Sequence, residues 1–198
     1  RLGCLHRRDV RHAGGDRGPA DRPAIALGGL AARGVDHQVD LASRQTIVGK
    51  RYRGTFDLAR RIAHTFSDEI VLFLTSKRGI ALTSIAFVSD RDGSKEIYLM
   101  DYDGHDQRRV TAHKSISMSP AWSGRGDSVA YVSFFGGHGP ALYLANIASG
   151  RKSPLVTDGS LNASPAVSPD GRLVAFARAI GANIEVFLCA ADGSGVRR

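Results

Sequence analysis

From Ser84 onward the chain alternates short apolar runs with breaks rich in Gly, Asp and Pro. Ile85-Ala86-Phe87, Val129-Ala130-Tyr131 and Val174-Ala175-Phe176 are separated by 44 and then 45 residues. Tyr98-Leu99, Tyr143-Leu144 and Phe187-Leu188 are separated by 45 and then 44. Ser119-Pro120-Ala121-Trp122 returns as Ser164-Pro165-Ala166-Val167 after 45 residues, and Asp103-Gly104 returns as Asp192-Gly193. The runs are apolar, β-branched and aromatic, which suits strands, and the breaks hold turn residues. A sustained period of 44–45 built from short strands predicts β-propeller blades and argues against a helical solenoid.

The middle unit parses into four strands: Pro120–Ser123, Ser128–Ser133, Ala141–Asn146 and Ser153–Thr157. Neighbouring blades bury both faces of each sheet, so near-continuous apolar runs such as IAFV and VAFA are expected. Alternating strand direction sorts the connectors. First-to-second and third-to-fourth turns share one face of the disc. The longer connectors (89–95, 113–119, 134–140, 158–164 and 180–183) share the other, the usual binding face.

Upstream, Gln45–Tyr52 reads as a strand ending near Gly54. Asp57–Ser76 reads as one helix, because Leu58, Ile62, Phe66, Ile70 and Phe73/Leu74 recur at spacings of three and four. Thr55 or Asp57 is expected to cap its start, and Gly79 suits its exit. His64 lies off the apolar stripe and is expected on a solvated face. Residues 1–38 contain seven Arg, seven Gly, no Lys and no aromatic, and no periodicity. They read as a disordered or out-of-frame segment. Expected boundaries are therefore 1–38, then 39–83 as the end of an α/β domain, then 84–198 as blades.

Charge sharpens this division. The net charge is +8, yet residues 1–61 carry 13 Lys/Arg against 6 Asp/Glu and residues 62–198 carry 14 against 13. The basicity belongs to the first third, and aromatic residues do not interleave with it, which weighs against a nucleic-acid surface. No run of 18 apolar residues predicts a transmembrane helix. Cys4 and Cys189 form no metal-ligand spacing, and Cys189 sits in an apolar strand where it packs as a small hydrophobe. No GxSxG, HExxH, Walker or GxGxxG pattern occurs, and no arrangement marks a nucleophile with its base. Asp90-Arg91-Asp92-Gly93 and Asp101-Tyr102-Asp103-Gly104 lack the spacing of a calcium loop and read as tight turns. Gly124-Arg125-Gly126-Asp127 likewise reads as a turn, in the register of Ser168-Pro169-Asp170-Gly171. Trp122, the one tryptophan, is expected in core or channel packing near the axis.

These units resemble TolB/WD40-like propeller repeats. The matching stretches are Ser168–Gly171, Ile85–Gly93 (IAFVSDRDG) and Ile97–Gly104 (IYLMDYDG). Several propeller families share that signature, including those capping prolyl-oligopeptidase-type hydrolases. The discriminating stretch lies upstream: Val48–Tyr52, Ala59–His64, Asp68-Glu69-Ile70, Leu74-Thr75 and Gly79-Ile80-Ala81 are similar to the end of the TolB N-terminal domain. The resemblance implies a fragment of a mostly β protein: about 2.5 four-stranded blades of a six-bladed propeller, preceded by the remnant of a small α/β domain.

It also implies a non-catalytic periplasmic scaffold of the Tol-Pal system, with no cofactor and no metal. Its propeller would bind the lipoprotein Pal, and its N-terminal region would communicate with other Tol proteins such as TolA. Outer-membrane integrity, cell division and bacteriocin uptake are the implied roles, with the protein peripheral to the outer membrane and not inserted. The alternative is the propeller of a prolyl-oligopeptidase-like hydrolase whose catalytic domain lies elsewhere. On the long-loop face, His113, Lys114, Ser115, Asp158 and Asn162 are the expected partner contacts.

Overall fold

The computed structural model describes residues 5–7, 31–39, 46–55, 58–137, 139–159 and 161–198. They fall into two units: one contains Thr83–Arg198 and a strand near the chain start, and the other lies within Val10–Leu82.

The larger unit holds three antiparallel sheets. The first takes β1 (Leu5–Arg7), β4 (Thr83–Ser89), β5 (Glu96–Asp101) and β6 (Arg108–Arg109), in that order. The second takes β7 (Ser117–Trp122), β8 (Ser128–Ser133), β9 (Ala141–Asn146) and β10 (Lys152–Val156). The third takes β11 (Asn162–Val167), β12 (Leu173–Ile180) and β13 (Asn183–Ala190), with a single bridge from Leu188 to Arg197 where a fourth strand would lie.

Period-2 alternation sends each strand's side chains to opposite faces, and the second sheet is buried on both. Val129, Tyr131 and Tyr143 face the first sheet and pack on Ala86, Ile97 and Leu99. Val132 and Leu142 face the third sheet and meet Val174, Phe176 and Cys189. This two-sided burial explains why the strand sequences read as continuous apolar runs. Cys189 is a free, buried thiol, and Trp122 is half-buried against the first of these cores.

The first strands of the second and third sheets bulge at the same place. The register slips between Met118 and Ala121, and again between Ala163 and Ala166. Ser119 (φ 54°) and Ser164 (φ 50°) take the left-handed conformation there. Proline follows each serine, and its missing N–H leaves no donor orphaned where the ladder breaks. The strands β7 and β11 consequently begin three residues earlier than the apolar runs alone suggest.

The Asp-Gly stretches form tight turns. Gly93 (φ 92°) donates its N–H to the Asp90 carbonyl at 2.8 Å, and Gly104 (φ 85°) donates to Asp101 at 2.9 Å. In the Arg-Gly-Asp stretch, Gly126 donates to the Ser123 carbonyl at 2.9 Å and Ser123 Oγ donates to Asp127 Oδ1 at 2.8 Å.

The smaller unit pairs β2 (Ala31–Val39) with β3 (Thr46–Thr55) and carries α1 (Ala59–Thr75). Tyr52 donates its hydroxyl to Glu69 Oε2 at 2.9 Å and meets Phe66 edge-on. Along the expected stripe, Ile62, Phe66 and Ile70 are half-buried, whereas Leu58, Phe73 and Leu74 are exposed. His64, expected on a solvated face, is half-buried as well.

The helix ends differ from expectation. Leu58 precedes α1 without a side-chain cap, Thr55 closes β3, and Asp57 lies outside the described residues. Ser76 (φ 55°) makes the left-handed exit and donates its N–H to the Leu72 carbonyl at 2.9 Å. Gly79 serves close approach instead, since a Cβ there would sit 2.0 Å from Asp68 Oδ1. The buried Asp68 carboxylate accepts the Ala81 N–H at 2.8 Å, tying the helix to the chain that follows it.

Strands β1 and β2 fall largely within residues 1–38, the segment expected to be disordered or out of frame. Neither Leu5-His6-Arg7 nor the glycine-broken run at 31–39 carries an alternation that marks a strand. Cys4, Arg8 and His12 lie outside the described residues.

Candidate functional site

The chain crosses between sheets on the face where the second-to-third-strand loops also emerge. Backbone hydrogen bonds knit these connectors together. Ser117 donates to the Lys95 carbonyl at 2.7 Å, Phe134 to Ile116 at 2.9 Å, and Asn162 to Pro140 at 3.1 Å. The described parts of these connectors, 112–116, 134–137, 139–140 and 157–159, thus lie together on one face above the second and third sheets.

His113 anchors the first connector. Its ring stacks on Phe135 at 4.5 Å between centroids and lies 6.0 Å from Tyr131 and 5.9 Å from Tyr143. Its Nε2 is 2.9 Å from Tyr131 Oη, and Tyr143 donates its hydroxyl to the Phe135 carbonyl at 3.1 Å. Strand register explains the cluster: Tyr131 and Tyr143 are direct cross-strand partners, so their rings stack and leave a slot at the sheet's end. Burial among these rings holds His113 below the ordinary histidine pKa, Lys152 adds to the effect, and Glu96 opposes it. Burial also raises the Tyr131 hydroxyl pKa, with Tyr143 and Glu96 contributing.

A buried carboxylate fixes the same connector from below. Glu96, only 2% exposed, accepts the Lys114 N–H at Oε1 (2.8 Å) and the Thr111 hydroxyl at Oε2 (2.5 Å). Thr111 Oγ1 in turn accepts the Ile97 N–H at 2.8 Å. Lys114 (φ 53°) is held in the left-handed region with its side chain exposed. Ser115 beside it is half-buried.

The second connector is held differently. Ser117 and Ser133, a cross-strand pair in the second sheet with hydroxyls 3.1 Å apart, are replaced 45 residues later by Asn162 and Arg178. Asn162 Nδ2 donates to the Asp158 carbonyl at 2.9 Å and to the Pro140 carbonyl at 3.3 Å. Arg178 Nη2 donates to the same Asp158 carbonyl at 2.8 Å and lies 2.6 Å from its carboxylate. The Arg178 guanidinium also covers the Phe187 ring.

The five residues expected as contacts thus divide. Lys114 and Asp158 are exposed, His113 and Ser115 are half-buried, and Asn162 is 0% exposed and serves as a strut. The sequence reading did not single out Glu96, Arg178, Tyr131, Tyr143 or the exposed pair Phe134-Phe135. Two adjacent phenylalanines inside a glycine-rich loop were the available signal, because loop aromatics with no strand to bury them face outward.

The opposite face carries the short turns. A cavity of about 180 Å³ lies there between the second and third sheets, lined by Ser123, Arg125, Asp127, Gly171 and others. It falls below the roughly 300–1,000 Å³ typical of small-molecule sites.

The family described as the TolB beta propeller domain matches residues 72–198. The chain belongs to this family. The Tol-Pal system protein TolB of Desulfosudis oleivorans is 35% identical over 159 residues, covering 80% of this chain and 36% of that protein. A protein TolB homolog of Chlorobium chlorochromatii is 38% identical over 140 residues, covering 68% of this chain and 32% of its own length. The chain therefore spans about a third of the length of these relatives. The crystal structure of TolB from Acinetobacter baumannii shares the fold, with a TM-score of 0.73 at 24% identity over 85% of this chain and 45% of that one.

Proposed function

We propose that the connector face is a protein-binding surface and that this TolB-family chain works as a non-catalytic periplasmic scaffold of the Tol-Pal system. Its partner there is the lipoprotein Pal. Communication with TolA belongs to the N-terminal region, and the protein stays peripheral to the outer membrane. The supporting observation is a contrast on one face. Phe134, Phe135, Lys114 and Asp158 are exposed, while the connectors bearing them are fixed by the buried side chains of Glu96, Asn162 and Arg178. Exposed aromatics on a rigid backbone lose little conformational entropy on binding and suit hot-spot contacts.

A pull-down with the purified soluble domain of Pal from the same bacterium tests the reading. The expected result is capture by the wild-type chain and loss of capture with Phe135→Ala combined with Lys114→Glu. Absence of any complex with the wild type overturns it.

A further inference from the structure

Two anchors hold connector 112–116, and they act at consecutive residues. At Lys114 the backbone takes the left-handed conformation (φ 53°) and donates its N–H to Glu96 Oε1 at 2.8 Å. A non-glycine residue keeps that conformation only where its surroundings impose it. At His113 the ring enters a slot walled by Phe135, Tyr131 and Tyr143. Phe135 is itself 46% exposed, so the ring ties the connector to an exposed aromatic.

The slot suits a neutral ring. Tyr131 is 0% exposed, and among the described residues its hydroxyl meets only His113 Nε2, at 2.9 Å. A buried O–H needs an acceptor, which an unprotonated Nε2 supplies. A proton taken from solvent onto that nitrogen makes it a donor and leaves the Tyr131 O–H with no acceptor. Among the described residues, the titratable and charged groups facing the ring are Glu96 from β5, Tyr131 from β8, Tyr143 from β9 and Lys152 from β10, with Lys114 next to it in the chain. Burial among the rings disfavours the charged imidazole and outweighs the attraction of Glu96, and Lys152 acts in the same direction as burial. Each oxygen of Glu96 already accepts a hydrogen bond, from the Lys114 N–H and from the Thr111 hydroxyl.

We propose that His113 is a proton-operated latch that regulates partner binding on the connector face. The neutral ring seats connector 112–116 in the slot. Protonation withdraws the ring to solvent, releases Lys114 from its left-handed conformation and removes the ring on which Phe135 stacks. Lys114 and Phe135 then leave the geometry in which a partner meets them, so affinity falls as pH falls through the histidine range. The regulation rests on the binding surface proposed above, whereas the latch rests on the slot alone.

The test has two readouts on the 198-residue chain, both taken from pH 7.5 to pH 5. The first is hydrogen exchange of the peptide spanning 112–116, without any partner and corrected for the intrinsic exchange rate. Protection in wild type is expected to fall at least about fivefold, the lower end of ordinary coupling between sites. It is expected to stay level in His113→Phe, whose ring fills the slot and does not titrate. Lys152→Ala, at an exposed side chain, removes the opposing cation and is expected to move the midpoint to higher pH. That variant carries the test should His113→Phe not fold. The second readout is affinity for the soluble domain of Pal at the same pH values. Wild type is expected to weaken by a similar factor relative to His113→Phe, a comparison that cancels the partner's own titration. Flat protection in wild type, a fall that His113→Phe shares, or a midpoint that Lys152→Ala leaves in place would overturn the latch. Protection that falls while relative affinity holds would overturn the regulation and spare the binding face. A chain that never binds Pal overturns the binding face and the regulation together, and the exchange profile still decides the latch.

Discussion

His113 shows how a sheet can set the chemistry of a connector. The stacked pair Tyr131 and Tyr143 closes one side of its slot and Phe135 the other, so the imidazole loses water that a charged ring needs. Its pKa is lowered in the fold, chiefly by burial. The folded state therefore binds fewer protons at this site than the unfolded chain, and its stabilising effect is complete above about pH 6.5. That contribution declines as pH falls below the unfolded value, until the folded ring protonates as well. Urea midpoints measured from pH 5 to 7.5 are expected to rise through this range in wild type, with a smaller slope in His113→Phe. Glu96 makes a second prediction. Its removal orphans the Lys114 N–H and frees the Thr111 hydroxyl, so Glu96→Ala is expected to cost about 2–3 kcal/mol by chemical denaturation. Glu96→Gln, which keeps an acceptor, should cost less. Neither residue announced itself in the sequence. Glu96 reads as the polar start of a strand, and the groups around His113 come from positions 18 to 30 residues away that meet only through register.

Strands were far more legible than their irregularities. The return of IAF, VAY and VAF every 44–45 residues, between breaks rich in Gly and Asp, locates β4, β8 and β12, because a short apolar run bounded by turn residues is a local signal. β8 and β9 match the sequence reading residue for residue, and β10 differs by one residue at each end. The bulges at Ser119 and Ser164 were hidden, since a left-handed serine before proline leaves only a two-residue mark. Both serines are exposed, which isolates the backbone effect. Ser164→Val places a β-branched residue in the left-handed region and is expected to lower stability by about 1–2 kcal/mol. Ser164→Gly, which adopts that conformation freely, is expected to leave the denaturation midpoint unchanged or slightly higher. The helix followed the same logic: its apolar spacing marked the body, while its ends depend on Ser76 and on the close approach of Gly79 to Asp68.

Across the larger unit, direction of travel decides what each face can do. Turns between first and second strands stay short and bond internally, as at Ser168, whose hydroxyl donates to Asp170 Oδ1 at 2.6 Å. That bond and the Arg172 N–H hold the Asp170 carboxyl below its usual pKa. Connectors between sheets must span a larger gap and so expose side chains such as Lys114 and Asp158. The sorting of faces was legible because strand order alone dictates it. The choice of Asn162 as a contact was not, since burial at a strand's first residue depends on what Pro140 and Arg178 do nearby. The measurement that tests the binding face most directly is calorimetric titration of the soluble Pal domain into two variants, Phe135→Ala on the connector face and Asp170→Ala on the turn face. Affinity is expected to fall at least about tenfold, or 1.4 kcal/mol, for the first and to stay within about twofold for the second. Full affinity in Phe135→Ala with a loss in Asp170→Ala would contradict the assignment.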